Sequence, residues 1–414
     1  MSSVLGSPRI GIFTHDAYGL GHIRRSLHII QALSERAPQA AILLITGCPA
    51  NDMLRGLPQN ADFVKIPTIV TSGADGAKPP VLPVGLAELS FLRARSIREI
   101  VRTFAPDVFL VDNFPLGSRL ELLSTLQELR RTATRTILGL RDIVDPPAKV
   151  QSDWGRDGIY EVLDRYYDRI LVYGMREVLD AGEAYALPPG IAEKVHYCGY
   201  VTALVPPART PAEVRAELGC TGPLVVATVG GGGDGFPLLE TFLQAIPFFS
   251  NISAVAVTGE FMTSAERAEL RQKTTGHHGV VVVDFVPDLP SYMAAADLVV
   301  AMGGYNTTAE ILALRSRAIV VPRTWRSGEH GDRARAHADL EQLLRAQALE
   351  KLGLVDVLHP EMLSPERLAE RMGAALGHPK AGPKAVTNVR GLECVTDHIL
   401  AMAHECRGER HGQL

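Results

Sequence analysis

Cysteine is scarce in this chain. Its 414 residues hold five, Cys48, Cys198, Cys220, Cys394 and Cys406, scattered and with no CxxC pair. That excludes a zinc ribbon and a disulfide scaffold, and a reducing cytoplasm is expected. Long apolar runs are missing too. None approaches the ~18 residues that a membrane helix needs, so at most a peripheral membrane contact is expected. Met1 to Arg9 lacks a basic region followed by an apolar core, and no signal peptide is expected there. Neither sign of charge dominates: 42 Lys and Arg face 46 Asp and Glu, a formal net charge of -4. No broad basic surface for nucleic acid is expected. Nor is the chain polar enough to stay unfolded, at 46% hydrophobic and 21% charged residues. Its length suits two domains.

What is present is an alternation of strands and helices. Arg9 to Thr14 is a short apolar run, followed by a polar loop with Gly19 and Gly21. Leu27, Ile30, Ala32 and Leu33 then recur at helical spacing, and Ala40 to Ile45 is a second apolar run. Strand, helix, strand in this order reads as a βαβ unit of a parallel sheet. The pattern continues with an amphipathic helix over 86–104, a strand Asp107 to Asp112, a helix over 116–131 and a strand Thr134 to Leu140. Strands over 170–173 and 195–198 close this half. Pro206 to Pro211 reads as a linker, after which the pattern restarts. Leu224 to Val229 is a strand, Gly230 to Gly235 a glycine loop, and Pro237 to Ala245 a helix. Two α/β domains, 1–206 and 207–385, are expected, each opening with strand, glycine loop and helix.

Three glycine loops stand at the carboxyl ends of predicted strands: Gly19 to His22, Gly230 to Gly235, and Gly303 to Thr307. Free backbone N–H groups and a helix N-terminus together favour phosphate or another anion. No loop matches G-x-x-x-x-G-K-[ST], so a P-loop enzyme is not supported. Glycines that only make tight turns are the alternative for any single loop, but three together point to a ligand in the crevice there. Glu310, three to four residues into the helix after Gly303-Gly304, is a candidate for a ribose diol; the plainer reading is a glutamate stabilised by the helix dipole. His22 follows Gly21 at a helix start, where a neutral imidazole could act as general base. Asp112, at a strand end, could fix its tautomer. Helix capping is the plainer role for both, and His15 is a rival base.

The stretch Tyr18-Gly19-Leu20-Gly21-His22-Ile23, with Thr228 to Gly235, resembles the paired glycine loops of GT-B glycosyltransferases. Val283 to Leu289, Tyr292 to Asp297, Met302 to Glu310 and Val320-Val321-Pro322 are similar to the nucleotide-sugar signature of family 28. The resemblance implies an α/β GT-B fold, two Rossmann-like domains with parallel sheets facing a central cleft. The C-terminal helix, 388–406, would cross back onto the first domain. The resemblance also assigns roles. Val286 would offer backbone hydrogen bonds to the base. Gly231, Gly232, Gly233, Gly303, Gly304, Asn306 and Thr307 would approach the diphosphate, and Glu310 would hold the ribose. His22 falls on the family's GGH histidine. Gly233 and Asp234 stand where the lipid II enzyme of that family has Ser and Gln. Asp332-Arg333-Ala334-Arg335 stands for its Asp-Arg-Gln-Gln run, and Glu329, His330, Asp332 and Arg333 are plausible sugar-facing groups.

The activity implied is an inverting, metal-independent transfer from a nucleoside diphosphate sugar, UDP-linked as a first guess, to a hydroxyl acceptor. His22 and Asp112 are the candidate catalytic pair. No DxD motif sits where a metal–diphosphate bridge would need one, so neither metal nor cofactor is expected. A nucleotide-sugar hydrolase, a nonhydrolysing epimerase and a noncatalytic nucleotide-sugar-binding protein are the rival readings. If the acceptor is lipid-linked, the helix over 86–104, with Arg93, Arg95, Arg98 and Arg102 beside apolar residues, could rest on anionic lipid at the inner membrane face. A core-packed helix with a solvated basic face is the alternative.

Overall fold

The computed structural model describes residues 7–15, 21–48, 54, 56–72, 76–78, 82–202, 207–274, 279–286, 288–323, 340–377 and 388–412. The chain divides into two compact units, one of Met1–Val201 with Arg390–Leu414, the other of Thr202–Val389. Pro206, the first residue of the expected linker, lies outside the described residues.

The first unit is built on seven parallel strands: β1 (Arg9–Thr14), β2 (Ala41–Thr46), β3 (Ala61–Lys65), β6 (Val108–Asp112), β7 (Arg135–Arg141), β8 (Arg169–Tyr173) and β9 (Val195–Tyr197). They lie in the order β3-β2-β1-β6-β7-β8-β9. A small antiparallel pair, β4 (Val70–Ser72) and β5 (Gly76–Lys78), stands apart. β6 is buried along its whole length and β1 at all but its first residue. That is why both read as unbroken apolar runs: a parallel sheet is covered by helices on both faces. The register sets Thr14 beside Asp112, and Asp112 beside Gly139. Gly139 is required there, since a Cβ would lie 1.8 Å from the Tyr173 hydroxyl.

The second unit holds six parallel strands, β10 (Leu224–Thr228), β11 (Ser253–Val257), β12 (Val280–Val283), β13 (Leu298–Ala301), β14 (Ala318–Val320) and β15 (Asp356–Val357), in the order β12-β11-β10-β13-β14-β15. β10 is again fully buried at the centre. Helices Leu340–Lys351 and Pro365–Gly377 complete this unit, and sequence reading had not anticipated either. The final helix, Gly391–Gly412, belongs to the first unit.

The helix expected over 116–131 is broken. Gly117, Arg119 and Leu120 take positive φ, so a short 3₁₀ turn over Ser118–Leu120 precedes the helix Leu123–Leu129. The turn serves Glu121. Its Oε1 accepts from the Ser118 backbone N–H at 2.9 Å, and its carboxylate takes Arg93 Nε at 2.5 Å and Nη2 at 3.0 Å.

Arg93 therefore departs from expectation. It lies on the Leu86–Phe104 helix but is buried, at 2% exposure, paired with a Glu121 that is 0% exposed. It also donates to the Pro67 carbonyl. The basic face of that helix is thus smaller than the sequence suggests, and two of its other cations have acidic neighbours, Arg102 at Glu99 and Arg98 at Glu128. Removing one member of a buried pair strands the other charge, at a cost of about 3–5 kcal/mol. Arg93→Met should lower unfolding free energy by about that amount in urea titration. A loss under ~1 kcal/mol, the scale of a surface pair, would show that Glu121 finds water or another partner.

Candidate functional site

In each unit the sheet brings polar residues to the carboxyl ends of its strands. In the first, β1 ends at Thr14, His15 follows, and the helix Gly21–Arg36 begins at Gly21. Residues 16–20, with Tyr18, Gly19 and Leu20 of the expected loop, lie outside the described residues. His22 is the second helical residue, so its ring sits in the positive end of the helix dipole. Asp112 is the last residue of the neighbouring strand β6.

The structure brings His22 and Asp112 together, with Nδ1 to Oδ2 at 2.6 Å. Asp112 is buried and carries two further bonds to its other oxygen, from Arg25 Nη2 at 2.7 Å and Nε at 3.1 Å. Burial alone would raise the Asp112 pKa. The Arg25 and His22 charges and their hydrogen bonds outweigh it and hold the carboxyl down to about 2. Asp112 is therefore an acceptor, and Nδ1 must carry the proton, because two lone pairs at 2.6 Å would repel. The lone pair of neutral His22 is then on Nε2, which has no hydrogen-bond partner among the described residues. Burial lowers the His22 pKa. Asp112 opposes that shift, whereas Arg25 and Arg141 add to it. The side chain keeps 17% exposure, enough for a ligand to reach it.

Arg25 is the residue that sequence reading missed. It is fully buried, lies over the Tyr173 ring at 5.1 Å, and its Nη2 comes within 3.0 Å of His22 Nδ1. The signal available was its spacing: residues 22 and 25 share a helix face. Among so many arginines that spacing carried little weight.

His15, the rival base, packs edge-on against Phe114 at 4.8 Å. Burial, with His22 and Arg93 nearby, lowers its pKa to about 4. Among the described residues, Thr14 Oγ1, His15 Nδ1 and Asn113 Nδ2 are buried polar atoms at this end of the sheet without hydrogen-bond partners. Asn113 also holds a positive φ of 63°. Buried polar atoms without partners are uncommon in folded proteins, and three at one sheet edge mark a place where a ligand or water belongs.

The second unit repeats the arrangement. β10 ends at Thr228, whose buried Oγ1 is likewise without a hydrogen-bond partner among the described residues. The loop Gly230 to Gly235 follows. Gly232 has φ +87°, and a Cβ there would lie 1.9 Å from the Thr258 carbonyl oxygen. The Gly231 carbonyl accepts from Phe261 N–H at 2.7 Å, and a Cβ on Gly233 would meet Phe261 at 3.7 Å. A Cβ on Gly230 would be 3.7 Å from Thr307 Oγ1, so this loop adjoins the helix Tyr305–Leu314.

Gly303 and Gly304 lead into that helix after β13. Arg345, fully buried on the helix Leu340–Lys351, donates to the Gly303 carbonyl at 2.9 Å. At Gly304, the residue capping the helix, a Cβ would have nothing within 4 Å. Asn306 and Thr307 stand in the first turn. The helix starts at Tyr305, which makes Glu310 its sixth residue, deeper than the sequence suggested and largely buried. That is past the first turn, where the dipole no longer favours a carboxylate, so the plainer sequence reading of Glu310 loses its basis. Val286 lies half-buried beyond β12, two strands from β10. Asp234 is ion-paired with Arg323, whose backbone N–H donates to Gln342 Oε1 at 3.0 Å. Glu329, His330 and Asp332 to Arg335 lie outside the described residues.

Residues 226–386 match the Glycosyltransferase family 28 C-terminal domain. Over 168 residues the chain is 28% identical to a UDP-N-acetylglucosamine--N-acetylmuramyl-(pentapeptide) pyrophosphoryl-undecaprenol N-acetylglucosamine transferase of Halalkalibacterium halodurans, spanning 38% of this chain and 46% of that protein. The chain thus aligns with less than half the length of that relative. Two solved structures resemble nearly all of it. A protein assigned as a UDP-N-acetylglucosamine 2-epimerase from Listeria monocytogenes superposes with a TM-score of 0.65 at 12% identity, over 96% of this chain and 97% of that one. MurG of Acinetobacter baumannii gives 0.57 at 12% identity, over 95% and 99%. With two parallel-sheet α/β units and these neighbours, the chain is a GT-B-fold protein that resembles the glycosyltransferases of family 28, its residues 226–386 carrying the match to that family's C-terminal domain.

Proposed function

We propose that the protein is an inverting glycosyltransferase that moves a sugar from a nucleoside diphosphate sugar to a hydroxyl acceptor. The observation that carries this reading is the His22–Asp112–Arg25 arrangement. It supplies a neutral imidazole in a fixed tautomer, with Nε2 left to accept a proton. The acceptor hydroxyl gives its proton to Nε2 as its oxygen attacks the anomeric carbon, and the nucleoside diphosphate leaves from the opposite face. Asp112 holds the imidazolium formed in that step. Arg25 keeps Asp112 ionised and keeps the resting histidine neutral.

The donor belongs, in this reading, to the second unit. The backbone of Gly231 to Gly233, with the Gly232 N–H turned inward to the Val229 carbonyl, and the N–H groups of Gly304, Asn306 and Thr307 meet the diphosphate, where the Tyr305–Leu314 helix N-terminus stabilises the charge that develops on the leaving group. Glu310 takes the ribose diol and Val286 the base. The uracil base is proposed by analogy with the curated relative's UDP-linked donor. The same analogy proposes a lipid-linked acceptor and a position at the inner membrane face. The exposed Phe91 and Leu92, with Arg95 over the Phe91 ring, are the residues of the Leu86–Phe104 helix suited to meet lipid. The chemistry proposed uses no metal.

His22→Ala should lower turnover by ~10²–10⁴-fold, the range for a lost general base, with donor affinity little changed. Steady-state rates beside calorimetric binding of UDP, GDP and dTDP separate the two effects. If His15→Ala lowers turnover and His22→Ala does not, the base is His15. Release of sugar from donor alone, as fast as with acceptor, would make the protein a hydrolase.

The pH profile tests Arg25. The base works when neutral, so rate falls as pH drops through the His22 pKa. Arg25 lowers that pKa. Arg25→Met should therefore move the acidic limb of kcat to higher pH, whereas an unmoved limb would assign it to another group.

Gly304→Asp should abolish nucleotide binding while leaving thermal stability near normal, because the added side chain has open space but carries charge into the anion site. Glu310→Ala should weaken binding by ~1–3 kcal/mol. Unchanged calorimetric affinity in both variants would place the donor elsewhere.

A further inference from the structure

Away from both glycine loops, the first unit gathers a second reactive cluster. Cys198 directly follows β9, and Cys394 and His398 lie one helical turn apart on the Gly391–Gly412 helix. The two sulfurs and an imidazole nitrogen all lie within 4.8 Å of one another. Cys198 is buried, and Cys394 and His398 are half-buried. Arg169, on β8, approaches His398 Nδ1 at 2.7 Å, and the His196 and His398 rings lie 4.7 Å apart, tilted by 51°. None of these residues has a role in the proposed transfer.

We propose that Cys394 and Cys198 form a dithiol site that reacts with small-molecule disulfides, Cys394 as the attacking sulfur and Cys198 as the resolving one. Three observations support the assignment. The two sulfurs lie within 4.8 Å of each other. The less buried cysteine, Cys394, is the one beside His398, with the Arg169 guanidinium at that ring's Nδ1. Hydrogen bonds from Cys198 and then from His398 favour the Cys394 thiolate and lower its pKa, against burial and Asp397. The same side chains could hold a soft divalent metal ion. Arg169 argues against that, because it sets a cation on the imidazole such an ion would need.

The step balances as thiol–disulfide exchange. The Cys394 thiolate attacks one sulfur of the reagent, the reagent S–S bond breaks, and one small thiolate leaves. Cys198 then gives up its proton and attacks Cys394 Sγ. The mixed disulfide breaks, the second small thiolate leaves, and a Cys198–Cys394 bond forms. The two cysteines lose two electrons in all, and the reagent gains them. The bond would tie the chain just before it leaves the first unit, at Val201, to the helix just after it returns, at Arg390.

The test uses the full chain and oxidised glutathione. Peptide mapping without reductant should find a Cys198–Cys394 peptide pair, 2 Da lighter than the sum of its thiols and split by dithiothreitol; that mass loss follows from removal of two hydrogens, about 1 Da each. Cys198→Ser should stop at a glutathione adduct on Cys394. Iodoacetamide at neutral pH should label Cys394 several-fold faster than Cys220, the half-exposed thiol of the other unit. Circular dichroism and a parallel Cys198→Ala variant check that the substitutions fold. Equal labelling of Cys394 and Cys220, or adducts without a cross-link in the unsubstituted protein, would overturn the proposal. So would one equivalent of zinc in the purified protein that Cys394→Ser loses, which would make the cluster a metal site.

Discussion

Parallel pairing is the constraint on which the rest of this structure depends. Every strand of both main sheets runs the same way, so every strand delivers its last residue to the same edge. Each following helix starts there, with its free N–H groups turned toward the same space. Thr14, His22 and Asp112 meet at one such edge, and Thr228, Gly230 and Gly303 at the other. The hydroxyls of Thr14 and Thr228, without hydrogen-bond partners among the described residues, occupy the same position in the two units, at the end of the first strand of each main sheet. The chain has built the same kind of polar edge twice. It has filled one with titratable side chains and the other with glycine.

That difference suits the roles proposed for the two edges. A phosphate held by backbone N–H groups needs side chains kept out of the way. Gly232 cannot carry a Cβ at all, whereas Gly304 has room for one. Proton transfer needs a side chain with a defined tautomer, and this requires buried charge. Arg25, Arg93 and Arg345 are among the largest fully buried side chains in the molecule. Each answers a specific acceptor: the Asp112 carboxylate, the Glu121 carboxylate and the Gly303 carbonyl. Such groups cost desolvation and are tolerated where their hydrogen bonds are satisfied. Two of the three touch a proposed site directly, and the third holds the turn that follows β6.

The legible part of the fold was the part written in local pattern. β1, β6 and β10 were plain because a strand covered on both faces has no polar alternation to confuse it. The Leu86–Phe104 helix was plain from its amphipathic spacing. His22 and Asp112 were singled out separately, each from its place at an element boundary, and an interaction between them was anticipated. What stayed hidden depends on partners distant in sequence. Arg93 looked like part of a basic surface because Glu121, 28 residues on, is invisible to helical periodicity. Arg345 reaches Gly303 across 42 residues, from a helix that was not anticipated. The break at Gly117 to Leu120 rests on three positive φ angles, two of them at Arg119 and Leu120, residue types that give no sign of it. The dithiol cluster was unreadable for the same reason, since Cys198 and Cys394 are far apart in the chain and neither belongs to a motif.

The Gly391 N–H donates to the Tyr200 carbonyl at 3.2 Å, and a Cβ on Gly391 would collide with that same peptide. The chain therefore leaves the first unit and returns to it at neighbouring points. In topological terms the second unit is an insertion, spliced between two ends that one hydrogen bond already holds together. The seven-stranded sheet and its last helix are complete without the inserted segment, and a few residues would suffice to close the gap. A fold with that property can exchange its insert without redrawing the host. The half that carries His22 and Asp112 can then be kept while the half that carries the Gly230 to Gly235 loop is altered or replaced.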